Sequence, residues 1–91
     1  MDIDRAEQVL ATLIEDLAAI EHERWTHWQA NVHARGERQA DGSLVVPADL
    51  VARWDRQIAT AYADLTESEK DMDREQVRGY LPLIARAFAE G

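Results

Sequence analysis

The chain contains no cysteine, which excludes disulfides, thiolate metal sites and a cysteine nucleophile. It has two prolines and four glycines in 91 residues, so long stretches carry no helix-breaking signal. It also lacks a long apolar run: the apolar stretches are short and interrupted by charge, and the N-terminal Met1-Asp2-Ile3-Asp4 is acidic. Neither a signal peptide nor a membrane span is expected, and the cytoplasm is the expected compartment. There is no repeat, low-complexity tract or linker, so residues 1–91 are read as one domain. A chain of this size buries only about 60–65% of its unfolded surface, and oligomerisation could supplement so modest a core.

The net charge is −8, a balance that repels duplex phosphate and argues against a duplex nucleic-acid partner. The cations are unevenly placed, however. Arg24, Arg35, Arg38, Arg53, Arg56, Lys70 and Arg74 lie in the middle of the chain while the acidic excess lies near its ends, which leaves room for a local anion pocket.

Reactive chemistry is poorly represented. His22, His27 and His33 form no His-Glu-x-x-His pattern. On a helix, His27 projects away from the other two, so no metal site is expected. Ser43, Ser68, Thr12, Thr26, Thr60 and Thr66 stand in no nucleophile-elbow or triad context. No glycine-rich phosphate loop is present. No catalytic residue and no cofactor are therefore expected.

What the chain does have is helical periodicity. Asp2 or Asp4 can cap a helix, with Glu7 at capping-box spacing from Asp4. No Gly or Pro then interrupts it before Gly36, so the pattern predicts one helix to about Ala34, some 45 Å long. A helix of that length in so small a domain must bend or protrude. If residues 1–20 protrude, the stripe Ile3, Ala6, Leu10, Leu13, Leu17 needs a partner chain; otherwise it packs on helices of its own chain. Arg35 to Ser43 reads as a loop with an Asp41-Gly42 turn, and Leu44-Val45-Val46 as a strand fragment. A second helix is predicted from Pro47 to about Tyr62. Thr66-Glu67-Ser68-Glu69 is a capping box opening a third, which Pro82 should kink or divide. The expected fold is all-α, with three to four helices and one long N-terminal helix.

The organising stretch is Glu21-His22-Glu23-Arg24-Trp25-Thr26-His27-Trp28. Here the apolar stripe of Leu10, Leu13, Ile14, Leu17 and Ile20 runs into Glu21 and Arg24 before continuing through Trp25, Trp28 and Val32. The third helix repeats the interruption with Glu69, Lys70 and Asp73. Charges on a buried side are costly unless paired. The simplest packing sets Glu21, Arg24, Lys70 and Asp73 against one another as an ion-pair network, with Arg24 bonded to Asp73. Such a network either fixes how the helices dock or forms one wall of a polar pocket beside Trp25 and Trp54. Trp25, Trp28 and Trp54 are correspondingly either core residues or stacking platforms for a planar ligand.

Glu21-His22-Glu23-Arg24-Trp25, followed by the segment from Tyr62 to Arg74, resembles the ryanodine-receptor repeat (RyR) domain. That family has a His-x-x-Trp helix, a Tyr-Asp-x-Leu turn and a Glu-Lys-x-x-Asp-Arg helix start. His22 and Trp25 match the first element; Tyr62, Asp64 and Leu65 match the second with one residue inserted; Glu69, Lys70, Asp73 and Arg74 match the third. The resemblance covers roughly Ile20 to Ile84. It departs at Arg35-Gly36-Glu37-Arg38, where the family has a Gly-Trp turn. The resemblance implies a compact, mainly helical fold without catalytic residues. It also implies a role like that of accessory modules in prokaryotic and phage conflict systems, proposed to sense nucleotide-derived ligands.

Carried over, it makes His22, Trp25, Tyr62, Lys70 and Arg74 a candidate pocket, which Arg24, Arg53 and Trp54 join on the pattern of the stripes. The leading expectation is thus a non-enzymatic module binding a small anionic ligand, such as a nucleotide messenger. A standalone chain of this kind could be a phage product that sequesters a host immune signal in the host cytoplasm. The alternative is a protein-interaction module whose long acidic N-terminal helix mediates homo-oligomerisation or docks on a host protein.

Overall fold

The computed structural model describes residues 1–90 and is predominantly helical. The first helix, α1, spans Ile3–Ala11, and Asp2 caps it by accepting a bond from the Arg5 amide at 2.8 Å. Asp4 lies inside its first turn. The second, α2, spans Ile14–Arg35. The single long N-terminal helix expected from the pattern is therefore two helices.

The break involves no Gly or Pro. The Thr12 amide donates to the Val9 carbonyl and the Leu13 amide to Leu10, both three residues back. The Thr12 hydroxyl donates to the same Val9 carbonyl at 2.6 Å. A side chain competing for a helix carbonyl, with a tightened i→i−3 turn, is enough to redirect a helix. Its consequence is tertiary: α1 packs on the C-terminal helix of its own chain rather than protruding.

Gly36 ends α2, its amide bonded to the Val32 carbonyl at 3.1 Å. The stop is where the sequence puts it, but the reason differs from a left-handed cap. Gly36 has an extended backbone, and a Cβ there would lie 3.2 Å from Cβ of Leu44. The predicted loop is partly a small hairpin. β1 (Glu37–Arg38) and β2 (Leu44–Val45) pair antiparallel, with Glu37 opposite Val45 and Arg38 opposite Leu44. Its turn is the Asp41-Gly42 of the sequence: Gly42 has φ +88°, and the Asp41 carboxylate accepts from the amide and hydroxyl of Ser43. Those two bonds hold the Asp41 carboxyl below its ordinary value.

Pro47 precedes α3, which spans Ala48–Ile58 and stops four residues short of the expected Tyr62. The Thr60 hydroxyl bonds back to the Arg56 carbonyl there, and a 3₁₀ turn occupies Tyr62–Asp64. α4 (Glu67–Arg78) opens on the capping box read from the sequence, with Thr66 as cap and Glu69 reaching back. Pro82 divides the last segment as expected: α4 ends at Arg78 with Gly79 as its C-cap, and α5 runs Leu81–Glu90 with Pro82 in its first turn. A proline is tolerated there because amides of the first turn have no helical partner.

The packing of these elements is sparse. Among the described residues the buried apolar side chains are Val9, Leu13 and Leu50. The first two sit at the α1–α5 contact, beside Leu83 and Ala87. The radius of gyration is 18.1 Å, against about 12 Å for a compact chain of this length. The molecule measures 55 × 33 × 18 Å, a slab one to two helices thick.

Candidate functional site

The residues the sequence singles out divide between two places. The larger is an open groove of about 580 Å³ between α2 and α4. Glu21, Arg24, Trp25 and Trp28 line its α2 side, and Glu69, Met72 and Asp73 its α4 side. On a helix, positions 69, 72, 73 and 76 share one face, so α4 points a mixed carboxylate and thioether surface at the tryptophans.

Arg24 and Asp73 face this groove, but they do not pair. Arg24 instead bonds Glu21 on its own helix at 2.9 Å, and Lys70 reaches Glu67 at 3.6 Å on α4. Among the described residues Asp73 makes no ion pair. The expected four-residue network of Glu21, Arg24, Lys70 and Asp73 is thus replaced by separate pairs within each helix. The physical reason is the splay of α2 from α4. Across this open groove each charge finds its nearest partner one turn away on its own helix, where an exposed pair contributes little.

The tryptophans part company. Trp28 packs edge-on against Trp54, with ring centroids 5.6 Å apart and planes at 62°. That pair joins α2 to α3 and leaves Trp28 43% exposed. Trp25 is 59% exposed at the groove, with His22 stacked beside it at 6.0 Å on the same helix.

Tyr62, Lys70 and Arg74 form the second place, on the flank of α4 outside the groove lining. Lys70 Nζ lies 5.7 Å from the Tyr62 ring centroid. Arg74 donates to Asp71 at 2.8 Å and to Glu67 at 2.9 Å, and those two carboxylates raise its pKa. Arg74 and Lys70 in turn hold the Glu67 carboxyl below its usual range. Here the cations are already neutralised by neighbours. Arg53 is exposed on α3, and no ion pair reaches it among the described residues. Of the candidate pocket of His22, Trp25, Tyr62, Lys70 and Arg74, Trp25 alone lines the groove.

Two connections were not anticipated. Glu69 does more than close the capping box. Its Oε2 accepts from Gln57 Nε2 at 2.7 Å and from Arg56 at 3.1 Å, while Oε1 accepts from the hydroxyl and amide of Thr66. Led by the Thr66 hydroxyl and then Gln57, these donors pull its carboxyl down to about 2. The second is a bond from the Tyr80 hydroxyl to Glu21, which ties the α4–α5 corner to α2. The available signal was helical spacing alone, which puts Gln57 beside the stripe of Leu50, Val51, Trp54 and Ile58 and puts Tyr80 on one face with Val77, Leu81 and Ile84. Neither position identifies its partner.

No group of His, Asp or Glu able to hold a metal occurs among the described residues. No helix among them is long and apolar enough to cross a membrane. Comparison with family models, curated proteins and solved structures finds no match to this chain.

Proposed function

We propose that the chain is a non-enzymatic protein-interaction module. The observation that carries this is the mismatch between complete helices and incomplete burial. Trp25, Met72, Ile14, Val77 and Leu81 are all more than half exposed, while only three apolar side chains are buried among the described residues. Scattered exposed apolar residues are ordinary, but a set this large on so small a body marks surface that another chain covers. Helices with one unpaired face are also the usual material of helix-to-helix recognition.

A small anionic, nucleotide-derived ligand is less well served by the geometry. Trp25 offers a ring to stack on. Of the candidate cations, Arg24 is engaged by Glu21, Lys70 by Glu67, and Arg74 by Glu67 and Asp71, while the unpaired Arg53 lies outside the groove lining. The groove itself presents the carboxylates Glu21, Glu69 and Asp73 against the one guanidinium of Arg24. An incoming phosphate would have to displace carboxylates already in place.

Native mass spectrometry of the purified chain, alone and with a panel of cyclic and linear nucleotides, separates these alternatives. The expected spectrum shows a defined protein assembly and no nucleotide adduct. A discrete mass increment with one nucleotide, abolished by Trp25→Ala, would overturn the interaction proposal and restore the anionic ligand.

A further inference from the structure

α2 carries its charge in two halves. Ile14–Glu23 contains Glu15, Asp16, Glu21 and Glu23 and no Lys or Arg; Arg24–Arg35 contains Arg24 and Arg35 and no carboxylate. The midpoint of this 22-residue helix falls between Arg24 and Trp25. Along one face Ile14, Ala18, Glu21, Trp25, Trp28 and Val32 recur at alternating steps of four and three, the spacing of a coiled-coil seam. Of these, Ile14, Trp25 and Trp28 are exposed, and no residue of α2 is buried.

We infer that a second copy of this chain covers that face, its α2 antiparallel to the first, with a two-fold axis passing near Trp25. A two-fold interface needs a patch complementary to itself. A helix that is acidic at one end, basic at the other and aromatic in the middle meets that requirement in one orientation. Antiparallel pairing sets each acidic half against the partner's basic half and opposes the helix dipoles; parallel pairing would set like against like. Glu21, the one charge within the seam, is already compensated by Arg24 and Tyr80.

The area agrees. A monomer of 10.3 kDa is expected to expose about 5,400 Å². This chain exposes 7084 Å², an excess of about 1,700 Å², where obligate dimers remove roughly 1,000–2,500 Å² from each partner. Glu21, Trp25 and Trp28 of the seam are also the α2 wall of the α2–α4 groove, so the groove, with Met72 65% exposed on its α4 side, would be covered with it.

This inference rests on the protein-interaction proposal and narrows it to one occupant. Because the chain has no cysteine, introduced thiols report the geometry without background. With the axis near Trp25, Ala18 of one copy faces Val32 of the other. Oxidising a mixture of Ala18→Cys and Val32→Cys chains is expected to give the mixed disulfide, with little product from either variant alone. Efficient homodisulfide formation by Ala18→Cys alone would make the helices parallel and overturn the inference. In sedimentation equilibrium, Trp25→Glu, which brings two carboxylates together at the axis, is expected to weaken the dimer at least about 30-fold. Its helical circular dichroism should persist. An unmodified chain that is folded yet monomeric up to about 100 μM would also overturn the inference. It would leave standing an interaction module with a different partner, which only the nucleotide adduct described above would remove.

Discussion

Leu13→Ala is expected to destabilise the protein by about 2–4 kcal/mol, lowering Tm by more than about 10 °C. Leu13 is 6% exposed and lies with Val9 where α1 meets Leu83 and Ala87 of α5. Truncation removes apolar contact and leaves a cavity that the sparse surroundings can only partly fill. A loss of that size is a large share of the stability of any small domain. Its effect should also be local. Amides of α1 should lose hydrogen-exchange protection before those of α4, because α1 has no other large contact. Ile3→Ala on the same helix is the control: Ile3 is 74% exposed, and its loss should change stability by less than about 0.5 kcal/mol. Thermal melts and exchange on the two variants check both parts. Equal effects would mean that α1 does not dock on α5.

The second large effect is expected at Glu69, where one carboxylate serves two helices. Its side chain is 13% exposed, and it accepts from Thr66 at the start of α4 and from Gln57 and Arg56 on α3. Glu69→Ala removes the capping-box return and both bonds to α3. It should therefore lower Tm more than Thr66→Ala, which costs about 1 kcal/mol as the loss of an ordinary cap. Glu69→Gln should fall between them.

The same carboxylate gives the fold an acid limit. Its pKa is about 2 in the folded chain against an ordinary 4.5. The ionised form is thus favoured by folding. Its contribution is fully present above the unfolded pKa and is lost as pH falls from about 4.5 toward 2. Glu67 and Asp41, whose carboxyls are lowered in the same direction, add to the loss. Thermal melts from pH 6 to pH 2 should show stability falling through this window, and Glu69→Gln should flatten the fall. An unchanged acid slope in the variant would remove Glu69 from this role.

Features set by neighbours in the chain were legible in the residues themselves. The α4 start follows from Thr66 and Glu69, which need only each other. The division at Pro82 follows from a missing amide, and the turn at Gly42 from a backbone angle that glycine adopts without strain. The α1–α2 break was illegible because Thr12 competes for the Val9 carbonyl with no sequence punctuation. The docking that exploits the break involves α5, some seventy residues downstream.

The charged groups show the same limit. Helical periodicity put Glu21, Arg24 and Asp73 on facing sides, and they do border one groove. Whether they pair depends on a helix separation that periodicity does not encode. The three tryptophans have similar positions on their stripes. The placement of α3, which no local pattern contains, makes Trp28 and Trp54 partners and leaves Trp25 open.

The most direct test of the central claim, that this chain completes its core only against another, is how Tm depends on protein concentration. If folding is coupled to association of two copies, the melt is bimolecular, and Tm should rise by several degrees over about a hundredfold increase in concentration. A concentration-independent Tm, with the same helical signal throughout, would mean that the single chain is stable with its tryptophan face open, and would contradict the claim.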